Sequence, residues 1–242
     1  MRPKNAKTLT DLIATVPFLS SVAVLGACAI LLPTPVSGRA IAASGRITGI
    51  VRLVAPGRTP LRSGAYPSRQ VNRPTPPASE IANVVVFVKN APVEPELPVT
   101  RTPIAQRDEA FVPSVAAITR SSTVEFPNYD PYFHNVFSLS RGATFDLGRF
   151  RRGETRERTF NQAGLVKVFC HIHSEMSATI MVFDHRFYTV PGPDGRFTID
   201  RVPPGTYQVS AWHERIGETT QSLVLAAGDA SSIEFSLPVV TR

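Results

Sequence analysis

The residues best suited to chemistry are Cys170-His171-Ile172-His173-Ser174-Glu175-Met176, together with a distant histidine in Phe133-His134-Asn135-Val136-Phe137. Cys170, His173 and Met176 offer a thiolate, an imidazole and a thioether, and His134 adds a second imidazole. A soft sulfur and two imidazoles close around one ion, with a weak thioether on the axis, suit copper that changes between Cu(II) and Cu(I). The Cys-x2-His-x2-Met loop delivers three of these donors, and a neighbouring strand must bring the fourth. His171 adjoins Cys170, and strand alternation sends its side chain the other way, so it reads as a partly exposed polar residue.

The cysteine count supports an occupied thiol. Arg2, Lys4 and Lys7 precede an apolar run from Leu12 to about Leu32, and Ala40-Ile41-Ala42 has the small-x-small form of a signal-peptidase site. Residues 1–42 are therefore expected to be a leader cleaved near Ala42 or Ala43, placing the protein in the periplasm. Membrane association would require an uncleaved leader, or a lipid on Cys28 in Leu25-Gly26-Ala27-Cys28. With the leader gone, Cys170 has no partner for an internal disulfide, and a bound metal would occupy it in an oxidising compartment.

Residues 43–242 carry 22 Lys and Arg against 18 Asp and Glu. Part of that excess lies in Arg149, Arg151, Arg152, Arg156 and Arg158, interleaved with Glu154 and Glu157. This reads as a solvated hairpin that could also steer a redox protein with an acidic face. With no aromatic-basic stripe and no recognition motif, nucleic acid is not an expected partner.

The elements that must hold these donors are strands. Short β-branched and aromatic runs recur between Pro, Gly and Asn clusters, which gives an all-β expectation. Ile47 to Val54 alternates, Ala55 to Ser79 is a Pro-rich loop, and Val84 to Val88 is a continuous apolar run suited to a buried strand. Thr123 to Phe126 alternates, His134 opens the run to Leu139, and Leu165 to Phe169 alternates directly into Cys170. Ala178 to Val182 follows Met176, so the donor loop joins two consecutive strands at one end of a sandwich. The expected organisation is a site-bearing domain over 43–183, with the Pro-rich loop at 55–79, and a small β-module over 184–242.

Phe111-Val112-Pro113, Val124-Glu125-Phe126-Pro127-Asn128, His134-Asn135-Val136-Phe137 and the Cys170 to Met176 loop resemble plastocyanin- and amicyanin-type cupredoxins. The longer arrangement resembles exported bacterial proteins labelled methylamine-utilisation or plastocyanin-like. Asp194-Gly195-Arg196-Phe197 with Val202-Pro203-Pro204-Gly205-Thr206-Tyr207 is similar to transthyretin-like, carboxypeptidase-regulatory-type β-modules. The resemblance implies a cupredoxin Greek-key β-sandwich followed by a small immunoglobulin- or transthyretin-like sandwich. It implies one type 1 copper per chain on His134, Cys170, His173 and Met176, with neutral imidazoles and a thiolate. Asn135 matches a family position whose side chain ties the ligand-bearing loops together.

The function so implied is an exported blue copper protein that carries single electrons between redox partners and is not an enzyme. The alternatives are a periplasmic copper carrier, or a β-module protein that binds carbohydrate or protein without redox work. Asp108-Glu109 is a carboxylate pair with no base or nucleophile nearby. His185 reads as a surface or junction residue, and His213 as a hydrogen-bonding residue of the small module. A second, multinuclear copper centre would need many more histidines than His171, His185 and His213.

Overall fold

The structure is a computed structural model, and it describes residues 43–54 and 78–238. The leader, its cleavage site, Cys28 and most of the Pro-rich loop lie outside the described residues. Strands β1 (Gly45–Val54) and β2 (Val84–Val88) come first, β2 directly after a 3-10 turn, η1 (Ala78–Asn83). Five short strands follow: β3 (Arg101–Pro103), β4 (Ala105–Arg107), β5 (Ala110–Val112), β6 (Val115–Thr119) and β7 (Ser122–Pro127). Next come β8 (His134–Ser140), β9 (Ala143–Phe150), β10 (Thr155–Phe160), β11 (Gly164–Phe169) and β12 (Ser177–Phe183). The last are β13 (Tyr188–Thr189), β14 (Arg196–Val202), β15 (Gly205–His213), β16 (Gly217–Leu225) and β17 (Ala230–Pro238).

The fold is all-β, in two sandwiches. In the first, a five-stranded sheet ordered β6-β12-β11-β8-β9 is joined by a three-stranded sheet β10-β7-β3 and the β4-β5 hairpin. Ile118, Val124, Phe126, Val136, Phe150 and Ile180 are buried in one cluster, to which Cys170 and Met176 also belong. The second sandwich has sheets β14-β1-β17 and β13-β2-β15-β16, around a core that includes Ile47, Val51, Val86, Phe197, Val209 and Phe235.

The division at 183/184 expected from the sequence is not where the sheets divide. β1 runs parallel to β17 from Arg46 to Val54 and antiparallel to β14, and β2 pairs with β13 and β15. Both early strands thus complete the second sandwich. About 55 residues from the C-terminal segment offer too little apolar face to close two layers alone, and β1 and β2 supply the missing strands. Alternation marks a segment as a strand but carries no label for its partner. Gly49 records how closely β1 is held: a Cβ there would lie 2.0 Å from the Ile233 carbonyl oxygen and 2.6 Å from the Phe197 ring.

The two apolar runs at 84–88 and 178–183 explain each other. β2 is buried along its whole length, with Val84, Val86 and Val88 in the second core and Val85 and Phe87 on the opposite face. β12 does the same, sending Ala178, Ile180 and Val182 into the first core while Met181 and Phe183 face outward. Val85, Phe87, Val115, Met181 and Phe183 form a third cluster, flanked by Tyr188 and Trp212. A strand with no polar face must be covered on both sides, and here each sandwich covers the other.

Candidate metal centre

The strand period places the donors. On β11, Val166 and Val168 point inward and Leu165 and Lys167 outward, so the next inward position is Cys170, buried to 4 % exposure. His134 opens β8, the neighbour of β11 in the sheet, and is fully buried. The loop from Cys170 closes on itself: Cys170 N–H donates to the Met176 carbonyl at 3.3 Å, and Met176 N–H to the His173 carbonyl at 3.1 Å. Met176 is buried in the same cluster as Cys170.

The donor atoms converge. His134 Nδ1 lies 3.9 Å from Cys170 Sγ and 3.1 Å from His173 Nδ1. His134, Cys170 and His173 each offer one donor atom, and all of these lie within 4.8 Å of one another. Three of the four residues singled out by sequence thus share one point, and Met176 is held in the loop around it. The chemistry of the set fits a metal ion. Asp130 Oδ2 sits 2.9 Å from His134 Nε2, and an ionised carboxylate only accepts, so Nε2 is the donor and, in the neutral ring, Nδ1 presents a lone pair. A second imidazole nitrogen and a sulfur face that lone pair, an arrangement that a soft cation satisfies.

Asp130 was not legible as part of the site, and neither was the hairpin that holds it. Asp108 and Glu109, the carboxylate pair without evident chemistry, are the two-residue turn between β4 and β5, with φ of 54° and 56°. Both central residues at positive φ match the primed turn that suits hairpin twist, and this aims two successive N–H groups at Asp130. Asp108 N–H donates to Oδ1 at 2.7 Å and Glu109 N–H to Oδ2 at 2.9 Å. Burial pushes the Asp130 carboxyl up, but the Glu109 N–H, His134 and the Asp108 N–H together hold it below the ordinary carboxylate range. The available signal was Asp130 four residues before His134, inside Asn128-Tyr129-Asp130-Pro131.

Asn135 ties the segment that carries His134 to the one that carries Cys170. Its Oδ1 accepts from His171 N–H at 2.7 Å, and its Nδ2 donates to Asp146 Oδ1 at 3.1 Å. Asp146 reaches this position through an irregularity in the β8–β9 register, where Gly148 has φ of 70° and donates its N–H to Asp146 Oδ1. His171 points away from the donors, stacks on the Phe137 ring at 3.7 Å and is exposed. Of the three clustered donors only the His173 side chain is partly open, at 23 % exposure, with the Tyr132 ring 6.5 Å away. Tyr132, Phe133 and Ile172 are exposed close to these residues in sequence.

His185 and His213 do not belong to the donor cluster. His185 is buried against Phe183, and burial lowers its pKa. His213 Nε2 lies 3.1 Å from Glu80 Oε2 of η1, so its partner comes from the segment ahead of β2 rather than from the C-terminal strands.

Residues 176–238 match the family model of the carboxypeptidase regulatory-like domain. Among solved structures the chain is similar to a reduced amicyanin variant at 18% identity and a TM-score of 0.32, covering 34% of this chain and 81% of that one. It is similar to a purple cupredoxin from Nitrosopumilus maritimus at 21% identity and a TM-score of 0.30, over 36% of this chain and 100% of that chain. A copper-containing nitrite reductase from Thermus scotoductus aligns at 27% identity and a TM-score of 0.32, over 39% of this chain but only 24% of that one. No curated protein sequence matches. The chain thus joins an all-β sandwich that bears the donor cluster to a C-terminal stretch matching the carboxypeptidase regulatory-like domain.

Proposed function

We propose that the protein is a type 1 copper electron carrier, with His134, Cys170, His173 and Met176 holding one copper per chain. The observation that carries this reading is the convergence of two imidazole nitrogens and a thiol sulfur within 4.8 Å at a buried point. Copper bound there would supply a one-electron couple. The chain's own part is to hold the donors on strands and a closed loop, so that little moves when charge changes, and to exclude water from Cys170. His173 is the electron's exit, because its side chain alone among the clustered donors reaches solvent. Tyr132, Phe133 and Ile172 form the apolar rim on which a redox partner docks. The exposed Arg149, Arg151, Arg152, Arg156 and Arg158 favour a partner with an acidic face. The composition of residues 1–42 supports export to the periplasm as part of this reading.

Titration of the purified protein with Cu(II), followed by visible spectroscopy, tests this. The expected result is an intense thiolate-to-copper band saturating at one copper per chain and absent from Cys170→Ser. Ile172→Lys should keep the band and slow electron exchange with a partner. A folded protein that develops no band would remove the electron-carrier reading and leave the β-module as the functional part.

A further inference from the structure

The buried Asp130 has no role in the ligand set, and its surroundings are built around it. Its two oxygens accept three hydrogen bonds, from Asp108 N–H at 2.7 Å, Glu109 N–H at 2.9 Å and His134 Nε2 at 2.9 Å. Its own N–H donates to Asn128 Oδ1 at 2.9 Å. Asn128 is fully buried and fixed in turn, its Nδ2 donating to the Tyr132 carbonyl at 2.8 Å and the Phe150 carbonyl at 3.2 Å. The Asp130 side chain is 7 % exposed. A buried charge costs several kcal/mol unless it is paired and hydrogen-bonded, and a neutral asparagine in its place would set its amide N–H groups against backbone donors. The whole β4–β5 turn is thus shaped to keep a carboxylate, and not merely a polar group, on the outer nitrogen of His134.

We propose that Asp130 is a positioning residue for the metal centre: it fixes His134 as the Nε2–H tautomer with Nδ1 aimed at the shared donor point, and it places a negative charge behind that imidazole. The inference rests on the copper reading above for its redox consequence, though not for its tautomer. A carboxylate on the far nitrogen of a ligating histidine raises ligand basicity and locks the ring. The extra anion favours the more highly charged metal state, so Asp130 lowers the reduction potential of the site. The turn Asp108-Glu109 thereby acts on His134 through Asp130.

The first measurement is nitrogen-15 NMR of the imidazoles in the metal-free protein, which needs no variant and no copper. The expected result is a His134 ring protonated at Nε2 and bare at Nδ1; a ring protonated at Nδ1, or exchanging between tautomers, would overturn the proposal. Asp130→Asn should give a mixture of tautomers. After loading, it should bind copper roughly 10- to 100-fold more weakly. Its potential should rise by about 59 mV for each tenfold by which Cu(II) binding weakens relative to Cu(I). A purely structural role would lower the melting temperature of Asp130→Asn while leaving tautomer and potential unchanged, and that outcome also counts against the proposal. Failure of the wild-type protein to load copper would defeat the electron-carrier reading alone, because the tautomer measurement stands without it.

Discussion

Asn135 uses a single side chain to join β8 and β9 to the donor loop. Its carbonyl oxygen takes the N–H next to Cys170, and its amide holds Asp146 of β9. Asn135→Ala removes both bonds and leaves the His171 N–H without its acceptor, a loss of about 1–3 kcal/mol. The expected outcome is a lower melting temperature and a copper-loaded protein that surrenders its metal to a chelator roughly tenfold faster, since outer partners of metal ligands carry 10- to 100-fold effects on binding. A thermal loss without faster release would make Asn135 a packing residue only. At this scale the site divides by sequence distance. Cys170, His173 and Met176 are readable because their spacing is set inside one loop. His134 is readable because only one imidazole precedes them in the chain. Asp130 is not, since its identity as a held carboxylate depends on a turn 21 to 22 residues away folding against it.

Elements are where periodicity speaks and partnership stays silent. The alternation in β11 is enough by itself to point Cys170 inward, and the Asp194-Gly195 turn and the Pro203-Pro204-Gly205 turn mark the ends of β14. Nothing local, however, tells β1 to lie beside β17, where Arg46 pairs with Ala230. The η1–β15 contact is a further long-range outcome, and it has a pH signature. His213 is 1 % exposed, with Glu80, Arg215 and Glu214 around it; burial lowers its pKa, and Glu80 only partly opposes this. His185 is lowered in the same direction by burial. For a histidine depressed in the folded state, the unfolded chain takes up the proton first, at about pH 6.5. The stability these residues contribute is present above that pH and lost as pH falls through the folded-state values. The melting temperature of the metal-free protein is therefore expected to drop as the pH is lowered from about 7.5 to about 5. His213→Gln should be less stable at the upper end of that range yet show a shallower fall. A slope identical to wild type would remove His213 from the account.

At the scale of the whole molecule, Ile41–Arg242 forms one compact unit although it holds two sandwiches. The reason lies in β2, which is apolar on both faces, and in Met181 and Phe183 on the outward face of β12. Phe183 is the centre of that contact, packing at 5.2 Å from the Phe87 ring and stacking at 4.6 Å on Tyr188. Burial at the edge of this layer pushes the Tyr188 hydroxyl up to about 12, against the opposing hydrogen bond with Thr119. Each sandwich on its own would expose Val85 and Phe87 or Met181 and Phe183, so neither is stable at its full value without the other. Calorimetry of the intact protein should accordingly show a single cooperative transition. Phe183→Ala removes a buried ring at a cost of about 3–5 kcal/mol, and it removes it from the shared layer rather than from either core. The expected result is two resolved transitions, with the thiolate-to-copper band lost in the one belonging to the first sandwich. A single transition in the variant, merely shifted down, would mean that the pairing of β1 and β2 into the second sandwich couples the halves through the chain itself. Two transitions already present in wild type would mean that the apolar layer holds the sandwiches together without linking their unfolding.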